Sequence, residues 1–225
     1  MLKPPRGTIK PTDASVGFTV HHIMSQERAE LRHERILDAA LRVFSAKGYH
    51  DTAVEEIAAD SGTSKGGVYF HFPGKEALFL ALLDRTATRL RGKIEEAIAA
   101  QDDPVAKADA ALLAVLRTFA SHRSLGRLFM LEALGAGRRF HQRMMEIREE
   151  FTALIRQHLD DAVASGVIMP VDTEIASRAW FGALYEVITH RLLNKGSGSL
   201  EDSYAALRPL LMRSVGAAAS TEEAS

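Results

Sequence analysis

Apolar residues in this chain recur at three- and four-residue steps, and no segment alternates apolar with polar residues over the length of a strand. Steps of three and four put side chains on one face of an α-helix, whereas a half-buried strand needs a period of two. The chain is therefore restricted to helices packed on helices. Ile36, Ala39, Ala40, Val43 and Phe44 form the first such stripe. Gly48 is placed to end that helix, because a residue without Cβ adopts the left-handed C′ conformation at little steric cost. The same period marks Lys75 to about Ala99, through Leu78, Leu82 and Leu90, and then roughly Pro104 to Ser121, Leu125 to Ala133, Arg138 to Ser165, Asp172 to Asn194 and Leu200 to Val215. Gly or Pro separates these segments, and Pro209 should kink the last one unless that helix begins later.

Between Gly48 and Pro73 the elements are short. Thr52-Ala53-Val54-Glu55 reads as a capping box opening a helix with Ile57 and Ala58, closed at Gly62. Ser64 caps the next helix, which runs through Val68 to about Phe72 and must stop before Pro73, since the proline ring disfavours helix at the preceding residue. Three helices in about fifty residues, the last two joined by Asp60-Ser61-Gly62-Thr63-Ser64, make a helix-turn-helix. The third divides by face: Val68 and Phe72 share a side, with Ile57 and Phe44 available as core partners, whereas Lys65 and Tyr69 lie on another side. The chain as a whole has net charge -1, which by itself advertises no nucleic-acid partner. Yet Lys65 and Lys75 are unopposed by any acid from Ser61 to Lys75, so positive charge is focused where a duplex would lie.

The run from Thr52 through Lys65-Gly66-Gly67-Val68-Tyr69-Phe70-His71-Phe72-Pro73-Gly74-Lys75 to Phe79, with the preceding Ile36 to Tyr49 helix, resembles the DNA-binding signature of TetR/AcrR-type transcriptional regulators. The resemblance implies an all-α fold: an N-terminal three-helix helix-turn-helix DNA-binding domain plus a larger helical ligand-binding and dimerisation domain. It implies that the third helix enters the major groove, capped by Ser64, with Lys65, Gly66 and Gly67 at the base edges. Tyr69, His71 and Lys75 would then meet phosphates, as would Thr52 at the start of the second helix. Many relatives carry a side chain where Gly67 stands, so Lys65 is left as almost the only long side chain for direct readout.

The expected organisation is a flexible basic arm at 1–24, the DNA-binding domain at 25–74 with Ser25 as its N-cap, the effector-binding and dimerisation domain at 75–215 and a disordered tail at 216–225. Phe119, Phe129, Met130, His141, Met144, Arg148, Phe151, Trp180, Leu184 and Tyr185 are spread over several helices as ordinary core or as the lining of a cavity. The resemblance implies that some of them hold a small, apolar effector. The helix from Asp172 to Asn194 is apolar around most of its girth and needs two partners. The resemblance makes one of them a second copy of the chain, met through Ala176, Ala179, Ala183 and Val187. The partners expected are thus a palindromic double-stranded operator, a small molecule and a homodimer mate.

Cysteine is absent, which excludes disulfides, thiolate metal sites and cysteine nucleophiles. No apolar run reaches bilayer length, so no membrane contact is expected and the cytoplasm is the expected location. Glu30-Leu31-Arg32-His33 has the spacing of a di-iron ligand pair but no second such pair, and no metal, cofactor or catalytic residue is expected. A rival reading, an all-helical small-molecule or metal-binding enzyme whose basic helix is incidental, stays open on sequence alone.

Overall fold

The computed structural model of the chain describes residues 14–132, 137–194 and 198–217, without the side chains of 14–23, 25, 131 and 132. These residues form nine α-helices and no strand. Helix α1 spans Ala14–Lys47, so Ser25 lies inside it and is not its N-cap, a correction to the expected arm. The last proline before the packed stripe is Pro11, and a helix anchored at Ile36 to Phe44 extends backward without a new nucleation step. The rest of the arm, 1–13, lies outside the described residues. Gly48, at φ +83, ends α1 as its position predicts.

Helix α2 is Val54–Asp60, α3 is Lys65–His71, α4 is Lys75–Ala99 and α5 is Pro104–Ser121. The Ser64 hydroxyl accepts from the Gly67 N–H at 3.1 Å, and Phe72 is extended ahead of Pro73, so α3 starts and stops on the expected signals. The cap of α2 is shifted by one residue. Ala53 is the N-cap, and its N–H donates to the Glu56 carboxylate at 3.2 Å, so Glu56 takes the place expected for Glu55. Thr52 is instead turned inward, its hydroxyl donating to the Gly48 carbonyl at 2.7 Å, one of the acceptors left over at the end of α1.

Helix α6, Arg123–Arg127, passes into a π-helical turn, Leu128–Glu132. Helix α7 is Arg138–Ala164, α8 is Thr173–Leu193, and a 3-10 turn, Glu201–Ser203, leads into α9, Tyr204–Ser214. The last helix thus begins later than Leu200 and accommodates Pro209 internally; the carbonyl deprived of its donor belongs to Ala205, which is exposed. Gly216, at φ +69, and buried Ala217 close α9, with the Ala217 N–H donating to Met212 O at 3.1 Å. The chain is therefore ordered past the point where the tail was expected, and residues 218–225 lie outside the described ones.

Two apolar cores result. One gathers Phe44, Ile57, Val68, Leu78, Phe79 and Leu82 of the first four helices, but it also takes in Leu128, Phe129, Phe140 and Ile147 from beyond α5. The other joins α5, α7, α8 and α9 through Leu116, Leu159, Trp180, Ile188 and Leu211. The 74/75 boundary expected between domains is a short covalent link, yet the N-terminal core continues across it through α4.

Candidate nucleic-acid interface and internal cavity

The inner face of α3 buries Val68 and Phe72 against Phe44 and Ile57, which leaves Lys65, Gly66, Tyr69 and Phe70 exposed together. Phe70 is 84% exposed. Sequence reading did not single it out; the signal was its place off the Val68–Phe72 stripe, where an aromatic ring has no core to fill. A Cβ on Gly66 would meet open space, whereas one on Gly67 would come within 2.6 Å of Thr63 Cγ2 and 3.3 Å of Ser64 Oγ. A side chain at the second glycine would therefore require Thr63 to shift. His71 is half-buried, 6.1 Å from the His33 ring, and burial, then the neighbouring His33 and Arg32 charges, push its pKa down. The shift favours the neutral ring, which offers one N–H rather than a charge.

Lys65 is not unopposed. Its ammonium pairs with Glu55 of α2 and lies 5.9 Å from the Tyr69 ring centre. The hydrogen bond from Lys65 holds the Glu55 carboxyl below its usual range, and the same contact raises the lysine. The strip from Ser61 to Lys75 contains no acid, but the fold carries one in from ten residues upstream. If Lys65 reads bases, Glu55 sets where its ammonium sits when no DNA is bound. Glu55→Gln is expected to tighten binding to all duplexes by about two- to fivefold and to weaken discrimination at the base pair Lys65 reaches. Competition anisotropy with operator and point-mutated duplexes measures both; unchanged discrimination would remove Glu55 from this role.

Two expectations are corrected. Thr52 is buried and its proton is committed to Gly48 O, so it does not present a hydroxyl to a phosphate. Lys75 donates to the carbonyls of Tyr49, His50 and Thr52 at 2.9, 2.9 and 3.0 Å, which engages all three protons of the ammonium, and it sits 4.7 Å from the Tyr49 ring centre. It ties the α1–α2 connection to the start of α4 instead of facing outward.

A cavity of about 700 Å³ lies among α4, α5, α7 and α8. All ten residues named from sequence line it. Phe119 comes from α5, Phe129 and Met130 from the π-helical turn, His141, Met144, Arg148 and Phe151 from α7, and Trp180, Leu184 and Tyr185 from α8. Helix α4 contributes through Leu83, Leu90 and Ile94, whereas Leu82 is fully buried in the N-terminal core. Among the described residues no Asp or Glu lines the cavity, whereas Arg85, Arg89, Lys93, Lys107 and Arg148 do. The Arg148 guanidinium rests 5.2 Å from the Phe181 ring centre and 5.4 Å from that of Tyr185. Trp180 turns its ring to the cavity and its indole N–H to Ser214 Oγ at 3.0 Å, which ties α8 to α9.

On α8, Ala176, Ala183 and Val187 are half-buried against the chain's own C-terminal core, while Ala179 is exposed. The outward stripe is Ile175, Ala179, Gly182, Glu186 and Leu193, continued on α9 by Ala206 and Leu210. Of the four positions named from sequence only Ala179 is exposed and the other three are half-buried, because helical spacing alone does not say which apolar side a chain covers with itself. Among the described residues no group of three His, Asp or Glu could hold a metal ion, and no helix is long and apolar enough to cross a membrane.

Residues 36–82 match the family model of bacterial regulatory proteins, tetR family, and residues 101–189 match the tetracyclin repressor-like C-terminal domain. The chain is 30% identical over 149 residues to the HTH-type transcriptional regulator SrpR of Pseudomonas putida, covering 65% of this chain and 68% of that protein. It is 27% identical over 175 residues to the fatty acid metabolism regulator protein of Bacillus subtilis, covering 76% of this chain and 88% of that one. Among solved structures, the transcriptional regulator FadR from Bacillus subtilis in complex with stearoyl-CoA superposes with a TM-score of 0.73 at 24% identity, covering 79% of this chain and 96% of that chain. A bacterial regulatory protein in the tetR family from Rhodococcus RHA1 superposes with a TM-score of 0.67 at 25% identity, covering 84% and 98%.

Proposed function

Because the chain belongs to the TetR family of regulatory proteins, whose members bind DNA operators as dimers and respond to small molecules, we propose that it is a cytoplasmic repressor released by a long-chain acyl compound. The observation that carries this reading is the cavity. It is apolar and of ligand size, and it is walled by α4, which starts at the end of the recognition helix. Its likeness to a fatty acid metabolism regulator, and in fold to a regulator that binds stearoyl-CoA, points to an acyl-CoA as the effector. The DNA face consists of Lys65, Gly66, Tyr69 and Phe70, with His71 beside it and Ser64 and Gly67 shaping the turn. The rival enzyme reading has no support in these relatives, which are regulators.

The test is to select duplexes from a random library with the purified protein and then titrate the winner with stearoyl-CoA. A near-palindrome should emerge, bound with steep salt dependence and released by the acyl-CoA. No enriched sequence would overturn the DNA reading; an enriched operator that ignores every acyl-CoA would overturn only the effector. The dimer face has its own test. Ala179→Glu places a charge in the middle of the outward stripe, and leaving it unpaired in an interface costs about 3 to 5 kcal/mol. Sedimentation should show monomers that no longer hold the operator; an intact dimer would move the interface elsewhere.

A further inference from the structure

We propose that Arg148 is the anchor for an anionic head group, so that the cavity takes an amphiphile with its acidic end at the α7–α8 wall. The proposal rests on reading the cavity as the effector site and assigns the chemistry of one end of that effector.

Three other half-buried arginines differ from Arg148 in their partners. Arg85 of α4 pairs with Glu34 and Asp38, Arg143 of α7 with Asp84, Glu146 and Glu150, and Arg208 of α9 with Asp109. Each of these three is held by acids of its own chain, while Arg191, also half-buried, lies outside the cavity lining. Arg148 lines the cavity and is held by two ring contacts, which use none of its five N–H donors. No carboxylate or carbonyl of the described residues is within hydrogen-bonding reach of it. Its neighbour Glu149 is taken by Arg178, at 2.8 and 3.2 Å. Phe181 and Tyr185 are themselves stacked, 6.2 Å apart at 20°, so they present a rigid surface for a planar cation.

A guanidinium fixed in place with its donors unused matches a pair of oxygens bidentately. A carboxylate and a phosphate both supply such a pair, while the rest of the described wall is mostly apolar and holds no Asp or Glu, which suits a hydrocarbon chain. A purely apolar ligand would leave a partly desolvated charge unanswered, and an amine would be repelled. The chemistry selected is therefore a chain-bearing carboxylate or phosphate.

Trp180 is the only tryptophan of the chain and lines the cavity, so its fluorescence reports occupancy. The intact dimer is titrated with dodecanoate, dodecanoyl-coenzyme A and dodecanol. The wild type is expected to prefer an anionic probe over dodecanol. Arg148→Leu, which keeps most of the apolar bulk, should cut affinity for that probe by about 10- to 100-fold and leave dodecanol nearly unchanged, and Arg148→Lys should restore part of the loss. The probe whose binding is lost shows whether carboxylate or phosphate meets the guanidinium. Operator affinity without ligand should stay at the wild-type level in both variants, which reports an intact fold. A preference that survives in Arg148→Leu overturns the anchor, as does an equal loss for all three probes. If the wild type binds none of the three, the acyl effector itself is wrong and the anchor falls with it.

Discussion

Lys75→Met should lower the melting temperature by about 5 to 12 °C while leaving the slope of operator affinity against salt unchanged. The side chain replaces three hydrogen bonds from water for the carbonyls of Tyr49, His50 and Thr52, which converge on one ammonium where α1, α2 and α4 meet. Methionine fills similar space but donates nothing. The acceptors are partly buried, so their loss is worth about 2 to 4 kcal/mol, less than three fully buried orphans would cost. The salt slope separates this role from the one the sequence motif suggested. A lysine that neutralises a phosphate releases a counterion, and its removal would reduce the slope by about one. A stable variant with a reduced slope would return Lys75 to the DNA face.

Phe140→Ala is expected to destabilise the protein by about 3 to 5 kcal/mol and, in the fraction that remains folded, to uncouple operator from effector. Phe140 is 2% exposed, with ring contacts to Tyr49 and Phe79 at 5.1 Å each. It sits at the start of α7, the helix that carries Met144, Arg148 and Phe151 into the cavity, and its ring is embedded in the core of the DNA-binding helices. An effector that shifted α7 would therefore act on Tyr49 and Phe79 through a packed contact instead of a loop. In the wild type an affinity ratio of about 100 between the two states corresponds to ~2.7 kcal/mol, and by reciprocity saturating operator must weaken effector binding by the same factor. In Phe140→Ala the effector dissociation constant should change by only a few-fold on adding operator. Retention of the full ratio would place the coupling in α4 alone. No ratio in the wild type would reject release by effector altogether.

Several local signals act as their residue types predict, though Ser25 does not cap a helix. Ser64 before α3, Gly48 after α1 and Pro73 beyond Phe72 act within a few residues of themselves. Their steric and hydrogen-bonding preferences survive in any environment, which is why the helix bounds from Lys75 to Ala99 and from Pro104 to Ser121 were legible. The ten cavity residues were legible for a related reason: large apolar and sulfur-bearing side chains on several helices must meet somewhere. The shifted cap at Ala53 was a near miss, because Glu55 and Glu56 are equally good partners and only the inward turn of Thr52 chooses between them.

By itself the sequence determined an all-helical chain with a helix-turn-helix near its start, since periodicity, capping and chain-breaking are local properties of covalent geometry. Only the tertiary structure decided what the long polar side chains do. Lys65 pairs with Glu55, Lys75 ties three carbonyls together, and Arg148 lies against Phe181 and Tyr185. It also decided that Ala179, and not Ala176 or Ala183, faces outward. A lysine or arginine has several rotatable bonds and a reach that spans helices, so its partner depends on which elements are brought alongside, and that is a property of the packed chain and not of its neighbours in sequence.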